Sequence, residues 1–386
     1  MESYLTAEIS ASAVRENLSL LRRQVSPATK LCAVVKADAY GHGLKALLPV
    51  ISSGADALAV ATPQEAIALR EAGYERPLLM FFSPCACADG TELREALREL
   101  IIRSVTLTVV NVSEVAAVAE AAGQARSAAQ VHVMIDTGMN RSGVPAADAP
   151  ALLGAVRRTS GVELTGLYTH FASADEADKT FAREQLGAFL SAVDASGGRS
   201  GLTLHAANSA AAIDLPDTHL DMVRPGIAVY GYQPSDEMHT KLPLRPCLRL
   251  WGRLMQIKDV PAGARCGYGL THTFKSPSRL GLVPVGYADG YPRSLSNISV
   301  MRIGERELPV RGRVSMDQTI IDLTDAPEAG IGDAVEIISD RCDAPNSVAN
   351  LARLAETIPY ELTCRLGRRV CRVLVDWCAT FFGGAT

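Results

Sequence analysis

The sequence predicts an N-terminal (β/α)8 barrel of the TIM-like type, followed by a mostly β domain. Three observations carry this. Between residue 30 and about residue 230, short apolar runs alternate with helical stretches, and eight such runs can be counted. The runs are apolar at almost every position, as strands of a parallel sheet covered on both faces must be. After about residue 240 the texture changes to short β-rich segments separated by Gly, Pro and Asp.

The predicted barrel strands are 31–36, 57–61, 77–82, 105–110, 131–136, 164–170, 202–207 and 223–231. Stretches such as TPQEAIALREAG and DKTFAREQLGAFLSAVDASG separate them with helical periodicity. In the first of these, Thr62 and Pro63 read as N-cap and first helical residue, and Gly73 as the stop. A doubly wound open sheet is the alternative architecture; eight strands favour closure. The segment YQPSDEMHTKLPLRP reads as a linker, which gives a barrel domain over 1–240 and a β domain over 241–386. The early run YLTAEIS reads as a strand outside the barrel count.

The 386 residues carry a formal net charge of −4. That balance gives no electrostatic reason to expect nucleic acid or an anionic membrane as partner. The start MESYLTAEIS lacks the basic and apolar regions of a secretion signal, and no apolar run is long enough to cross a bilayer. The nine cysteines are scattered without a CxxC pair, which predicts reduced thiols and a cytoplasmic location. Cys85 and Cys87, flanking one alanine, read as part of a loop of small residues. No histidine spacing of a metal site occurs, so no metal is expected.

In a barrel of this type the chemistry sits at the C-terminal ends of the strands. Lys36 closes the first run, in AVVKADAYGHG. A desolvated lysine there has a lowered pKa and makes a nucleophile or a Schiff base; a lysine reaching from the rim to solvent is the plainer reading. Asn208 and Ser209 follow the seventh run, and Gly226 and Ile227 lie in the eighth, in VRPGIAVYG. The loops after strands seven and eight are the usual phosphate site of this fold, and glycine lets backbone N–H groups approach an anion. Arg224 lies within an apolar run and needs a partner, which a structural ion pair would supply. His170 and His205 also end strands, where a hydrogen-bonded core histidine is the commoner case. A lysine, a phosphate cradle and an inward arginine around one mouth point to pyridoxal phosphate. An aldolase or a phosphosugar enzyme shares these features.

At AVVKADAYGHG the chain resembles the alanine racemase family. The resemblance continues through DTGMNRSG, YTHFASADE, HAANSAA, VRPGIAVYG, CGYGLTHT, PVGYADGYPR, GRVSMDQ and IPYE, nearly from end to end. It implies a pyridoxal-phosphate enzyme that interconverts L- and D-alanine, with Lys36 holding the cofactor and acting as one catalytic base. Tyr268, in CGYG, resembles the second base. It would reach the site from the β domain of another subunit, which implies a homodimer with shared sites.

By the same resemblance, Tyr40, Ser209, Gly226, Ile227 and Tyr360 are phosphate ligands, and His170 and Asn208 surround the cofactor ring. Arg224 faces the pyridine nitrogen. Arg141 and the backbone of Met316 form the carboxylate site, and Asp175, Tyr287, Arg293 and Arg313 form the substrate corridor. Met134 stands where many members have a carbamylated lysine that braces the substrate-binding arginine; methionine cannot do this. Ser315 stands where some relatives have cysteine. A racemase for serine or larger amino acids is the runner-up, and a decarboxylase of related fold or a non-catalytic cofactor carrier are the other classes.

Overall fold

A computed structural model describes residues 4–83 and 91–377. Cys85 and Cys87 lie outside the described residues. The barrel strands are Lys30–Val34, Ala57–Val60, Leu78–Met80, Leu107–Val109, Ala129–Asp136, Val162–Tyr168, Thr203–His205 and Met222–Val223. All their pairings are parallel. Backbone bonds close the ring at its two seams: the N–H of Thr106 donates to Leu78 O at 2.9 Å, and that of Arg224 to Ala207 O at 2.9 Å. Burial on both faces explains why the inner strands read as unbroken apolar runs.

Helices pack outside the strands. Thr62 caps the helix Pro63–Glu71 with its side chain, Pro63 sits in the first turn, and Glu65 completes a capping box. The eighth strand is shorter than the sequence predicts. Only Met222 and Val223 pair, and Ile227–Tyr230 forms a 3-10 turn. Pro225 has no N–H to continue the ladder, so the chain turns there and brings the backbone after Gly226 to the barrel mouth.

The strand Leu5–Ser10 belongs to the β-rich part. It pairs antiparallel with Leu248–Arg253 and parallel with Cys371–Val375 in a six-stranded sheet. The span 1–240 therefore contains one strand that is not part of the barrel. A three-stranded sheet follows, made by Gln256–Val260, Ser278–Val283 and Thr319–Asp322. A small hairpin, Arg265–Cys266 with His272–Thr273, carries the turn Tyr268–Leu270 at its tip. One continuous apolar core joins barrel and sheets. No helix among the described residues is long and apolar enough to cross a membrane.

Candidate active site at the barrel mouth

The chain leaves the first barrel strand at Val34, and Lys36 opens the following turn. Residues Ala37, Asp38, Ala39 and Tyr40 all have φ between 53° and 56°. A left-handed run without glycine costs about 1–2 kcal/mol per residue, so the surroundings must hold it. They do so from three sides. Ala37 N–H donates to Glu65 Oε1 at 2.6 Å. Leu44 N–H donates to Asp38 Oδ1 at 2.7 Å. Arg372, from the last strand of the six-stranded sheet, donates to Gly41 O at 2.9 Å.

Lys36 lies at the edge of a cavity of about 520 Å³, within the range of small-molecule sites. Tyr40, Arg141, His170, Asn208, Ser209, Arg224, Gly226 and Tyr360 line the same cavity. Burial lowers the Lys36 amine pKa, and the Arg141 cation adds to the lowering; Glu65 and Cys364 pull the other way. Both lowering effects favour the neutral amine, the form that acts as nucleophile or base.

The same cavity holds a cradle. Gly226 N–H donates to Ser209 Oγ at 2.8 Å, and Ser209 opens the helix Ser209–Asp214, which Asn208 caps by accepting from Ala211 N–H at 3.0 Å. A Cβ at position 226 would lie 2.2 Å from Tyr40 Oη, so only glycine leaves that space. Ile227, fully buried behind the cradle, contributes no cavity surface of its own. Ser209, Tyr40 and Tyr360 bring three hydroxyl-bearing side chains to the cavity beside the start of the turn Ile227–Tyr230, a donor set that suits an anion. Burial holds the Tyr40 and Tyr360 phenols above their ordinary pKa, so both remain neutral donors.

Arg224 spans the cavity floor and is only 3 % exposed. Its partners are neutral rather than the ion pair the sequence left open. It donates to Thr169 O at 2.9 Å and Ala206 O at 3.1 Å, and its Nη1 lies 2.7 Å from His205 Nδ1. Since guanidinium only donates, His205 Nδ1 accepts. Its Nε2 then carries the proton toward His132 Nδ1, 2.9 Å away. Burial and the Arg224 charge keep His132 and His170 neutral, each with a pKa near 3. Burial lowers Arg224 itself only to about 10, so it remains a cation at neutral pH. Tyr168 stacks on His205 with ring centroids 4.8 Å apart, and the guanidinium sits 5.2 Å from the Tyr168 ring centre.

Met134 is buried and lines the cavity beside Arg141. The Asp136 carboxylate accepts from the N–H groups of Gly138 and Asn140 at 3.0 and 3.1 Å. It thus shapes the turn that presents Arg141. Asp175 lies near Tyr360, where its charge helps raise the phenol pKa. The buried Lys179 fastens its loop by donating to Ala174 O and Glu176 O, at 2.8 and 2.5 Å, while pairing with Asp214 at 2.9 Å.

The remaining sequence candidates lie on the β-rich part and do not line this cavity. Tyr268 is 71 % exposed, Met316 53 % and Tyr287 45 %. They belong to one patch nonetheless. A Cβ on Gly269 would lie 3.1 Å from the Arg313 guanidinium, which places the Tyr268 turn against Arg313. Tyr287 N–H donates to Ser315 O, and Ala288 N–H to Met316 O. Arg369 ties these segments together by pairing with Asp289 and Asp317, both at 2.6 Å. Arg293 is exposed on the short turn that follows Tyr287.

Sequence reasoning missed Phe81, Tyr168 and Cys364 as cavity residues, and Glu65 and Arg372 as supports. Tyr168 ends a barrel strand and was open to the same rule that found His170. Nothing local marks the others.

A lysine at the mouth of a parallel barrel, sharing one cavity with an anion cradle and a buried arginine, fits a pyridoxal-phosphate barrel enzyme. The cradle left open by Gly226 and the amine freed at Lys36 both fit that cofactor. The chain matches the family descriptions "Alanine racemase, N-terminal domain" over residues 9–234 and "Alanine racemase, C-terminal domain" over 247–374. It is 40 % identical to the alanine racemase of Desulfovibrio desulfuricans, over 96 % of this chain and 98 % of that protein. The alanine racemase of Methanococcus maripaludis is 37 % identical over 95 % and 97 %. The crystal structure of alanine racemase from D-cycloserine-producing Streptomyces lavendulae superposes with a TM-score of 0.90, at 35 % identity and 98 % coverage of both chains. The chain belongs to the alanine racemase family, whose members are pyridoxal-phosphate-dependent isomerases.

Proposed function

We infer that this chain interconverts L- and D-alanine with pyridoxal phosphate, by proton removal on one face of the substrate Cα and return on the other. The observation that carries the reading is the meeting of Lys36, Arg141, Arg224 and the Ser209–Gly226 cradle in one cavity. When bound, the cofactor supplies an electron sink that acidifies the substrate Cα–H. The side chains do the rest.

Lys36 would attach the cofactor and, once the substrate amine has displaced it, its freed amine, held below its ordinary pKa, would serve as base on one face. Tyr40, Ser209, Gly226, Ile227 and Tyr360 hold the phosphate; His170 and Asn208 border the ring. Arg141 offers its guanidinium to the substrate carboxylate, with the Met316 backbone as a second donor from the partner. Arg224 can donate but not accept a proton. Placed against the ring nitrogen of a bound cofactor, it would leave that atom unprotonated, limit how far electrons are drawn from Cα and favour return of the proton to that carbon.

The second base is Tyr268. Its exposure, and the separation of its patch from the cavity of the same chain, support a dimer in which each Tyr268 serves the partner's cavity. Asp175 at one rim and Tyr287, Arg293 and Arg313 at the other form the corridor between subunits. The described cysteines, Cys32, Cys247, Cys266, Cys342, Cys364 and Cys371, are all free, which supports a reducing, cytoplasmic setting.

The test is a chiral assay of the holoenzyme on L- and D-alanine, serine and a larger amino acid, with Lys36→Ala in parallel. Alanine is expected to be racemised fastest in both directions, and Lys36→Ala to lose both activity and the visible cofactor band reduced by borohydride. Loss of carboxylate in place of inversion, or a cofactor trapped on another lysine, would overturn the assignment.

A further inference from the structure

Glu65 sits in the capping box of the helix Pro63–Glu71, yet its carboxylate does more than cap. Oε2 accepts from the N–H groups of Ala61 and Thr62, at 2.8 and 3.1 Å. Oε1 reaches across to the N–H of Ala37, at 2.6 Å. One carboxylate thus joins the end of the second barrel strand to the residue directly after Lys36. Resting on the reading of Lys36 as the cofactor lysine, we propose that Glu65 is a positioning residue for Lys36, anchoring the left-handed turn 37–40 at the end where the lysine leaves the barrel.

The division of labour in that turn supports this. Its inner bonds run from Ala39 N–H to Val35 O and from Gly41 N–H to Ala37 O, at 2.9 and 2.8 Å. Asp38 and Arg372 hold its far side, through Leu44 N–H and Gly41 O. The Ala37 N–H lies next to Lys36, and Glu65 is what receives it. A backbone held left-handed at four residues without glycine relaxes once an anchor goes. Relaxation at Ala37 swings the base of the Lys36 side chain. The charge effect of Glu65 runs the other way: it opposes the lowering of the Lys36 pKa by burial and Arg141, so weaker cofactor retention in its absence would report the lost anchor and not the lost charge.

Glu65→Gln removes the charge and forces an NH2 group against either Ala37 N–H or the Ala61–Thr62 pair. Glu65→Asp keeps the charge but is one methylene too short to hold both sides. Thr62→Ala is the control. It deletes the hydroxyl that accepts Glu65 N–H at 3.3 Å and weakens the same helix start, without touching Ala37.

The experiment reconstitutes each chain with pyridoxal phosphate and reads three quantities: the dissociation constant from the visible band, the position of the borohydride-trapped cofactor, and the apo-protein Tm. Glu65→Gln and Glu65→Asp are expected to weaken cofactor retention by about tenfold or more, in line with loss of a charged hydrogen bond. Thr62→Ala is expected to remain within about twofold despite a lower Tm. If Glu65→Gln fails to fold, the Asp variant carries the same comparison. Retention lost equally by the Glu65 and Thr62 variants, or retained by all, would overturn the proposal. A wild-type cofactor trapped on a lysine other than Lys36 would instead sink the site assignment on which it rests.

Discussion

The barrel mouth and the Tyr268 patch are built to different standards of completeness. At the mouth, one chain brings lysine, arginine and cradle around a single cavity, with a buried guanidinium and neutral histidines beneath it. On the β-rich part, Tyr268, Tyr287 and Met316 stand in solvent, although Arg369 and its two carboxylates fasten the segments that carry Tyr287 and Met316. The contrast separates two tasks. On the proposed reading, seating the cofactor is the task of one chain, and opposing the lysine with a second base is the task of a pair.

The sharpest way to break that comparison is Tyr268→Phe. Tyr268 belongs to neither the Lys36 anchor nor the Ser209–Gly226 cradle, so cofactor retention should be unchanged. Racemisation should fall by about 10²–10⁴-fold, the usual effect of losing a general base. Exchange of the Cα proton with solvent should be impaired far more from one enantiomer than from the other. Slight and equal effects in both directions would mean that Tyr268 is not a base.

A smaller effect sharpens the barrel side. His132 and His170 have folded-state pKa values near 3, and His205 lies well below its ordinary value, chiefly through burial and then the Arg224 charge. In the unfolded chain each takes up a proton near pH 6.5. Below that pH the unfolded state binds more protons than the folded one. Stability is therefore fully present above about pH 6.5 and falls as pH drops toward 3. At pH 5 the loss is about 2 kcal/mol each for His132 and His170. Tm should decline from pH 7 to pH 5, with barrel amides losing exchange protection before those of the six-stranded sheet. His132→Asn, whose Oδ1 can still accept from His205, should flatten the decline by one proton. A Tm independent of pH over this range would contradict the neutral-histidine assignment.

The two regions also differ in how much of them the sequence discloses. Lys36, Ser209, Gly226 and Arg224 were legible because a parallel barrel puts its chemistry at strand ends, and the strands are apolar enough to locate. The left-handed turn was not. Ala-Asp-Ala-Tyr contains no glycine, and its conformation is imposed by Glu65, Asp38 and Arg372 from elsewhere in the chain. The truncated eighth strand follows from Pro225, a local signal that apolar patterning outweighed. The placement of Leu5–Ser10 depends on partners near residues 250 and 373, and no local pattern encodes that. Tyr268 lies on a short turn between two-residue strands, and only the family resemblance picks it out. Met134 changes the neighbourhood of Arg141 without changing the strand, so its effect belongs to the folded cavity.

Complementation tests most directly whether each site is built from two chains. Lys36→Ala removes the barrel half of a site and Tyr268→Phe the opposing base, and each homodimer should have little activity. In a mixture allowed to exchange subunits, each heterodimer has one site with both defects and one with neither. The account predicts recovery toward a quarter of the wild-type rate for an equal, fully exchanged mixture, half of whose dimers then carry one intact site. No recovery, with heterodimers shown to have formed, would contradict it and place both bases of each site on one chain.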